Sequence, residues 1–228
     1  PVRGSIYKAN ADGSNWHLYA SGIRNAEGLA FVPGTSNLWM VVNNRDQIAY
    51  PFQNSTGQYK KVITHYVDNH PPEEFARVRA GANYGWPFCN PDPDAGVNHM
   101  PFDRDVQFNA DGHVNCNAMT RIDKGIQAHS APLGLTFLHD PTGAGRSGAL
   151  VGLHGSWDRS ILTGYKVVYF PWNAQRQQPE QQIDLVTGWI TGPKTAWGRP
   201  VDTVVDPQGN IFISDDRAGA IYQLSYQG

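Results

Sequence analysis

Charge is scarce in this chain. Asp, Glu, Lys and Arg supply only 17% of the 228 residues and leave a formal net charge of −2, which gives neither nucleic acid nor an anionic membrane a basic surface to bind. Long apolar runs are missing too, since none approaches the roughly 20 residues that span a bilayer. The opening PVRGSIYKAN lacks the apolar h-region of a signal peptide. No segment keeps a capped helical period, so helix should be minor, with residues 71–81 (PPEEFARVRAG) as the best short candidate.

Cysteine is nearly absent. Cys89 and Cys116 flank a stretch rich in Pro, Asn and Asp, with no CxxC and no matching histidine spacing, which argues against zinc. A disulfide stapling an insertion is the favoured reading, and it would imply a periplasmic or secreted protein. Two unrelated buried thiols are the alternative. The single sequon at Asn54 carries little weight, because such triplets are common by chance.

Turn formers and aromatics are plentiful: 24 Gly, 16 Pro and 7 Trp. Together they point to many short strands and tight turns, in a chain long enough to bury one large core. Three segments share one grammar: residues 24–52 (RNAEGLAFVPGTSNLWMVVNNRDQIAYPF), 129–171 (HSAPLGLTF…YKVVYFP) and 198–226 (GRPVDTVVDPQGNIFISDDRAGAIYQLSY). Each runs polar head, apolar strand, Pro/Gly turn, second strand, polar loop, third strand, with period-two alternation inside the strands. Repetition at blade length predicts an all-β fold, a β-propeller. A β-sandwich is the competing architecture, but it leaves the likeness of the segments unexplained.

In a blade the first strand starts, and the loop after the second strand returns, at the same face. The heads Arg24, Asn25, His129, Ser130 and Arg199 should therefore ring one mouth. The loops NNRD, HGSWDR and DDRAG should bring Asn44, Arg45, Asp46, Trp157, Asp158, Arg159, Asp215, Asp216 and Arg217 to it. Such a set suits an anionic, planar ligand. Blade-to-blade salt bridges and turn caps are the plainer reading of the same residues.

These motifs resemble the soluble pyrroloquinoline-quinone (PQQ) sugar dehydrogenases, the glucose/sorbosone dehydrogenase family of six-bladed propellers. GIRNAEGLAF is similar to that family's arginine–asparagine motif, GANYGWPFC to its Asn-Tyr-Gly-Trp-Pro signature, and HSAPLGLTF, HGSWDRSILTGYKVVYFP and GRPVDTVVDPQGNIFISDD to its later blades in order. The resemblance implies one propeller domain over residues 1–228, with an insertion around 66–127 and only three to four blades present. A further segment or another chain would complete the ring, and the family's early-blade general-base histidine has no counterpart here.

It also implies roles. Arg24 and Asn25 would contact the quinone oxygens and the reacting sugar. Glu27 stands where better-known members carry a substrate-side glutamine. Asn44 and Arg45 align with the loop whose carbonyls hold the quinone-bound calcium. Arg199 would bind a cofactor carboxylate, Trp157 and Arg159 would add a stacking or basic group, and His129 would line the cofactor. The implied activity is PQQ- and calcium-dependent oxidation of an aldose or sorbosone-like sugar, with electrons passed to an external acceptor. Two rivals remain from other classes. A calcium-dependent lactonase would use Asp46 and Asp215 as metal ligands, and a non-catalytic propeller fragment would only bind a sugar or a protein.

Overall fold

A computed structural model describes residues 2–139 and 147–225 of the chain. The expected turn of the second repeat, at 140–146, lies outside them. Among the described residues helix is confined to one turn, Thr64–Val67, and a 3-10 turn, Cys116–Ala118. Everything else regular is strand, almost entirely antiparallel.

Four sheets of three or more strands follow one another along the chain, beside the two-stranded pairs Cys89–Pro91/Phe102–Arg104 and Ile190–Gly192/Thr195–Ala196. The first pairs Ser5–Lys8, His17–Ser21 and Ala82–Asn83; the second runs Ala26–Phe31, Leu38–Val42, Glu73–Arg77, Ile122–Ile126 and Asn98–Met100. The third holds Pro132–Leu138, Gly148–Leu153 and Lys166–Asn173, with Gln178–Pro179 and Ile183–Val186 both paired to the last of these. The fourth is Pro200–Val205, Ile211–Asp215 and Ala220–Leu224. The repeats thus fall on separate sheets, which excludes a continuous sandwich sheet.

Each gap between sheets is filled by its own core. Leu38–Val42 shows how: Met40 and Val42 face the first sheet with Ala76 and Tyr84, while Trp39 and Val41 face the third with Phe75, Val151 and Phe170. Leu150 and Val167 then face the fourth sheet with Ile211 and Ile213. Period two puts neighbours on opposite faces, so burial on both favours an unbroken apolar run. The sequences LWMVV and GALVGL fit that preference and are almost wholly buried. The outer sheets keep an open face instead, with Leu18 46% exposed on one side and Ile221 75% exposed on the other.

The first strands of the three repeats lie side by side at the inner edge. They approach closely enough to demand glycine. A Cβ on Gly28 would meet the Leu133 carbonyl at 2.7 Å, and one on Gly134 would meet the Asp202 Cα at 2.5 Å. All three also slip register just after their first residue, at Ala26/Gly28, Pro132/Leu135 and Pro200/Thr203. Bulges of this kind bend a strand and re-aim its end. Here they all sit at one rim.

Two expectations are corrected. Residues 71–81 do not form a helix. Their centre, Glu73–Arg77, is a strand between Leu38–Val42 and Ile122–Ile126, and the helical turn lies upstream at Thr64–Val67. The EEFAR run has helix-forming residues, but pairing on both sides outweighs a weak propensity. That strand is also the third of the first repeat, in place of QIAYPF at 47–52, which forms no strand.

Cys89 and Cys116 are bonded, 27 residues apart. Closing a loop of that length removes unfolded-state freedom worth about 3.5 kcal/mol on the chain-entropy scale. The bond fastens the hairpin Cys89–Pro91/Phe102–Arg104 to the loop at 116.

Candidate active site at the mouth

Antiparallel register builds the mouth. Ala26 pairs with Val42, Pro132 with Leu153 and Pro200 with Asp215, so each strand head stands beside the loop that follows the second strand. The equivalent heads and loops surround a cleft of about 350 Å³, lined by Arg24, Asn25, His129, Trp157 and Arg199 together with Asn43, Asp46 and His154. Six of the residues expected at the rim from sequence, Asp46 among them, are thereby brought together.

Arg24 Nη1 donates to the Asn43 carbonyl at 3.0 Å and to the Asn44 carbonyl, and Nη2 lies 3.5 Å from Asp46. Arg199 donates from Nε to the His154 carbonyl at 2.9 Å and from Nη2 to that of Gly155, with its guanidinium 5.3 Å from the Tyr165 ring centroid. Both arginines are thus held by carbonyls. The cleft keeps their charge, which Asp46 offsets only in part.

His129 adds to the positive character. Its Nε2 is 2.7 Å from the Val67 carbonyl and its Nδ1 is 3.4 Å from Asp46 Oδ1. Burial pulls its pKa down, yet the Asp46 and Val67 acceptors and the nearby Glu73 raise it above the usual histidine value overall. With acceptors at both nitrogens, the ring is set up to carry two protons rather than to take one from a substrate. Both His129 and Ala131 have positive φ, 63° and 52°, conformations that side chains avoid and that cluster where function fixes the backbone.

Trp157 stands at the rim with 68% of its surface exposed. Asn25 Nδ2 donates to Glu27 Oε1 at 2.7 Å, and both residues are exposed. His154 was not singled out from the sequence, although it opens the HGSWDR loop. Its Nε2 lies 2.9 Å from Asp216 Oδ1.

Beneath the mouth lie two more residues that the sequence reading passed over, Glu73 and Glu74, in the stretch expected to be helical. Glu73 accepts from the backbone N–H of Asn44 at 2.5 Å and of Ala131 at 3.0 Å, so it ties a loop of one blade to the head of the next. Glu74 accepts from Asn44 Nδ2 at 3.0 Å. Burial drives both carboxyls up, Glu73 to about 7 and Glu74 to about 8, against the hydrogen bonds that favour their charge. An acid with a raised folded pKa keeps a proton that the unfolded chain has lost. Its contribution is therefore fully present below about pH 4.5 and disappears as pH rises through 7 to 8, with a slope of up to about 1.4 kcal/mol per pH unit for each proton. Urea unfolding from pH 5 to 8 should show a declining stability that Glu74→Gln makes flatter. An unchanged slope in that variant would assign the protons elsewhere.

Other expected members lie away from the cleft. Asn44 is buried, engaged with Glu73, Glu74 and the Pro72 carbonyl, and presents its own carbonyl to Arg24. Arg45 turns to Asp105 and Gln107 and lies over Phe108, so its side chain serves the loop after Phe102–Arg104. Arg159 donates to Asn69 at 3.3 Å and lines a neighbouring cleft with Asp68 and Asp158. Neighbours alternate in direction at loop ends, and no sequence spacing reveals which of two adjacent arginines faces inward.

Successive blades around one mouth define a partial β-propeller whose cleft is lined by two arginines and two histidines. Residues 4–227 match the TrAA12-like family, and the chain belongs to it. A pyrroloquinoline quinone-dependent pyranose dehydrogenase of Coprinopsis cinerea is 28% identical over 232 residues, covering 88% of this chain and 30% of that protein. An uncharacterised protein of Borreliella burgdorferi is 24% identical over 225 residues, covering 97% and 52%. The chain thus spans about half the length of one curated relative and under a third of the other.

Among solved structures, the holo PQQ domain of Coprinopsis cinerea pyranose dehydrogenase aligns with a TM-score of 0.74 at 24% identity, covering 97% of this chain and 61% of that one. The calcium structure of the Trichoderma reesei family AA12 enzyme gives 0.67 at 23% identity, covering 94% and 56%. The fold is that of the quinoprotein sugar dehydrogenase propellers, of which this chain supplies part.

Proposed function

We propose that the chain contributes the quinone-binding mouth of a PQQ- and calcium-dependent sugar dehydrogenase. The observation that carries this reading is the convergence of Arg24, Arg199, His129 and Trp157 on one cleft. The donor chemistry fits both groups. Two guanidiniums and a histidine biased toward its cation suit a tricarboxylate, and an exposed indole suits a planar ring. The Asn43 and Asn44 carbonyls point at the same nitrogen of Arg24; such a pair of oxygens is equally a place for a hard cation. When bound, the quinone supplies the two-electron acceptor and calcium polarises its carbonyl.

The rest falls to this chain's own side chains. Arg24 and Arg199 hold the carboxylates and fix the ring's orientation. Trp157 covers one face and excludes water. Asn25 presents an amide at the rim, and Glu27, which holds that amide, accepts from a sugar hydroxyl. His154 is oriented by Asp216 in the way that a proton-accepting imidazole is held. The disulfide supports a periplasmic or secreted setting. Among the described residues no helix is long and apolar enough to cross a membrane. The remaining blades would come from another segment or chain, and the electrons would leave to an external acceptor.

The lactonase reading loses its ligands: Asp215 is buried under four hydrogen bonds, and Asp46 is shared by Arg24 and His129. Quinone titrated into the calcium-loaded chain should quench tryptophan fluorescence to saturation, and dye reduction with an aldopyranose then reports turnover. Saturation without turnover would leave a binding half-site; failure of both would remove the proposal.

A further inference from the structure

A second polar cluster lies in the insertion, away from the mouth. His70, Asp92 and Asp94 bring their ligand atoms within 4.8 Å of one another. His70 follows the helical turn, with its ring stacked on Tyr66 at 4.0 Å between centroids and its Nδ1 2.9 Å from the Tyr66 carbonyl. A carbonyl only accepts, so Nδ1 carries the proton and the neutral ring keeps its lone pair on Nε2.

That lone pair has nowhere ordinary to go. The His70 side chain is 8% exposed, and its Nε2 is buried without a hydrogen bond, with Asp94 Oδ1 3.4 Å away. Asp103 likewise has a buried Oδ2 with no partner. A lone pair facing crowded carboxylates repels unless a cation stands between them. Ligands bound to one ion at roughly 2.0–2.1 Å sit about 3.3–3.4 Å apart, close to the observed Nε2–Oδ1 spacing. The group Asp46, His129 and Asp158 at the mouth is as compact, yet there both imidazole nitrogens face hydrogen-bond acceptors.

We propose that His70 Nε2, Asp92 and Asp94 bind a divalent cation of the zinc type. One imidazole among oxygens suits Zn²⁺ or Mn²⁺ better than Ca²⁺, which takes oxygen ligands. Asp94, with its side chain 68% exposed, gives the ion its way in. The ion ties the turn Thr64–Val67 to the disulfide-fastened hairpin. Since the Val67 carbonyl holds His129, it also braces one wall of the mouth from outside.

The test is calorimetric titration of ZnCl₂ into the chelator-stripped chain, with Co²⁺ absorbance as a second readout. One ion should bind per chain. Asp94→Asn, a surface change that spares the fold, should weaken binding at least about tenfold, His70→Gln should abolish it, and Asp158→Asn should leave it unchanged. Absence of saturable binding to the wild type overturns the proposal. So does an affinity that survives Asp94→Asn or is lost in Asp158→Asn.

Discussion

Asp215→Ala should destabilise the chain by roughly 3–5 kcal/mol, with the denaturant slope unchanged. Asp215 is 3% exposed, and each of its oxygens is filled twice. Oδ1 accepts from the backbone N–H of Arg199 and Ala218, both at 2.8 Å; Oδ2 accepts from Trp189 Nε1 at 2.7 Å and Tyr222 Oη at 3.0 Å. Alanine leaves four donors unpaired, each costing about 1–3 kcal/mol if left dry. Asparagine is no rescue, because its amide would turn two hydrogens toward groups that already donate. Room for the carboxylate comes from Gly198, where a Cβ would lie 2.1 Å from Oδ2. The pH signature follows. Burial alone would raise the Asp215 pKa, but the four donors bring it below the usual 3.8. A carboxylate with a depressed folded pKa stabilises above its unfolded value and loses that contribution as pH falls through the folded one. Wild type should therefore lose part of its advantage over Asp215→Ala below about pH 3.8. A difference under about 1 kcal/mol at pH 7 would mean that water replaces the carboxylate without cost.

Asp215 also shows where sequence reasoning reached its limit. The DD pair in DDRAG was legible as the loop after a second strand, and register puts it at the mouth as expected. Which of two adjacent aspartates turns inward was not legible, because it depends on the Trp189 and Tyr222 donors brought in from elsewhere. Arg24, Asn25, His129, Trp157 and Arg199 were recoverable because repetition makes their positions equivalent, and equivalence survives folding. Arg45 and Arg159 lack that protection. Each sits one or two residues past a repeated position, where insertions unique to one blade capture it. Glu73 and Glu74 were missed for a different reason. Two adjacent glutamates read as helix surface, and only long-range pairing makes them a strand beneath the cleft. The fold was therefore more legible than the site: its period is written in every blade, whereas a side chain's direction is settled by partners distant in sequence.

Arg24→Ala should weaken quinone binding by about 1.5–3 kcal/mol, a factor of roughly 10–150, the scale of a hydrogen bond to a charged group. Arg24 reaches the cleft as a planar fork held at both ends, by the Asn43 and Asn44 carbonyls and by Asp46. That grip fixes its direction before any ligand arrives, so little side-chain freedom is lost on binding. Lysine would keep the charge but lose the fork, and Arg24→Lys should fall between wild type and alanine. Calcium separates this role from general damage to the mouth. Removing the guanidinium leaves the two carbonyls facing the cleft and takes away a positive charge beside them, so calcium alone should bind the alanine variant no more weakly than wild type. A protein with a collapsed mouth would lose both ligands together. The contrast can be read by titrating calcium, then quinone at saturating calcium, into all three proteins at fixed ionic strength. Equal quinone affinity in wild type and Arg24→Ala would remove Arg24 from the site and would leave Arg199, held by the His154 and Gly155 carbonyls, as the arginine that anchors the ligand.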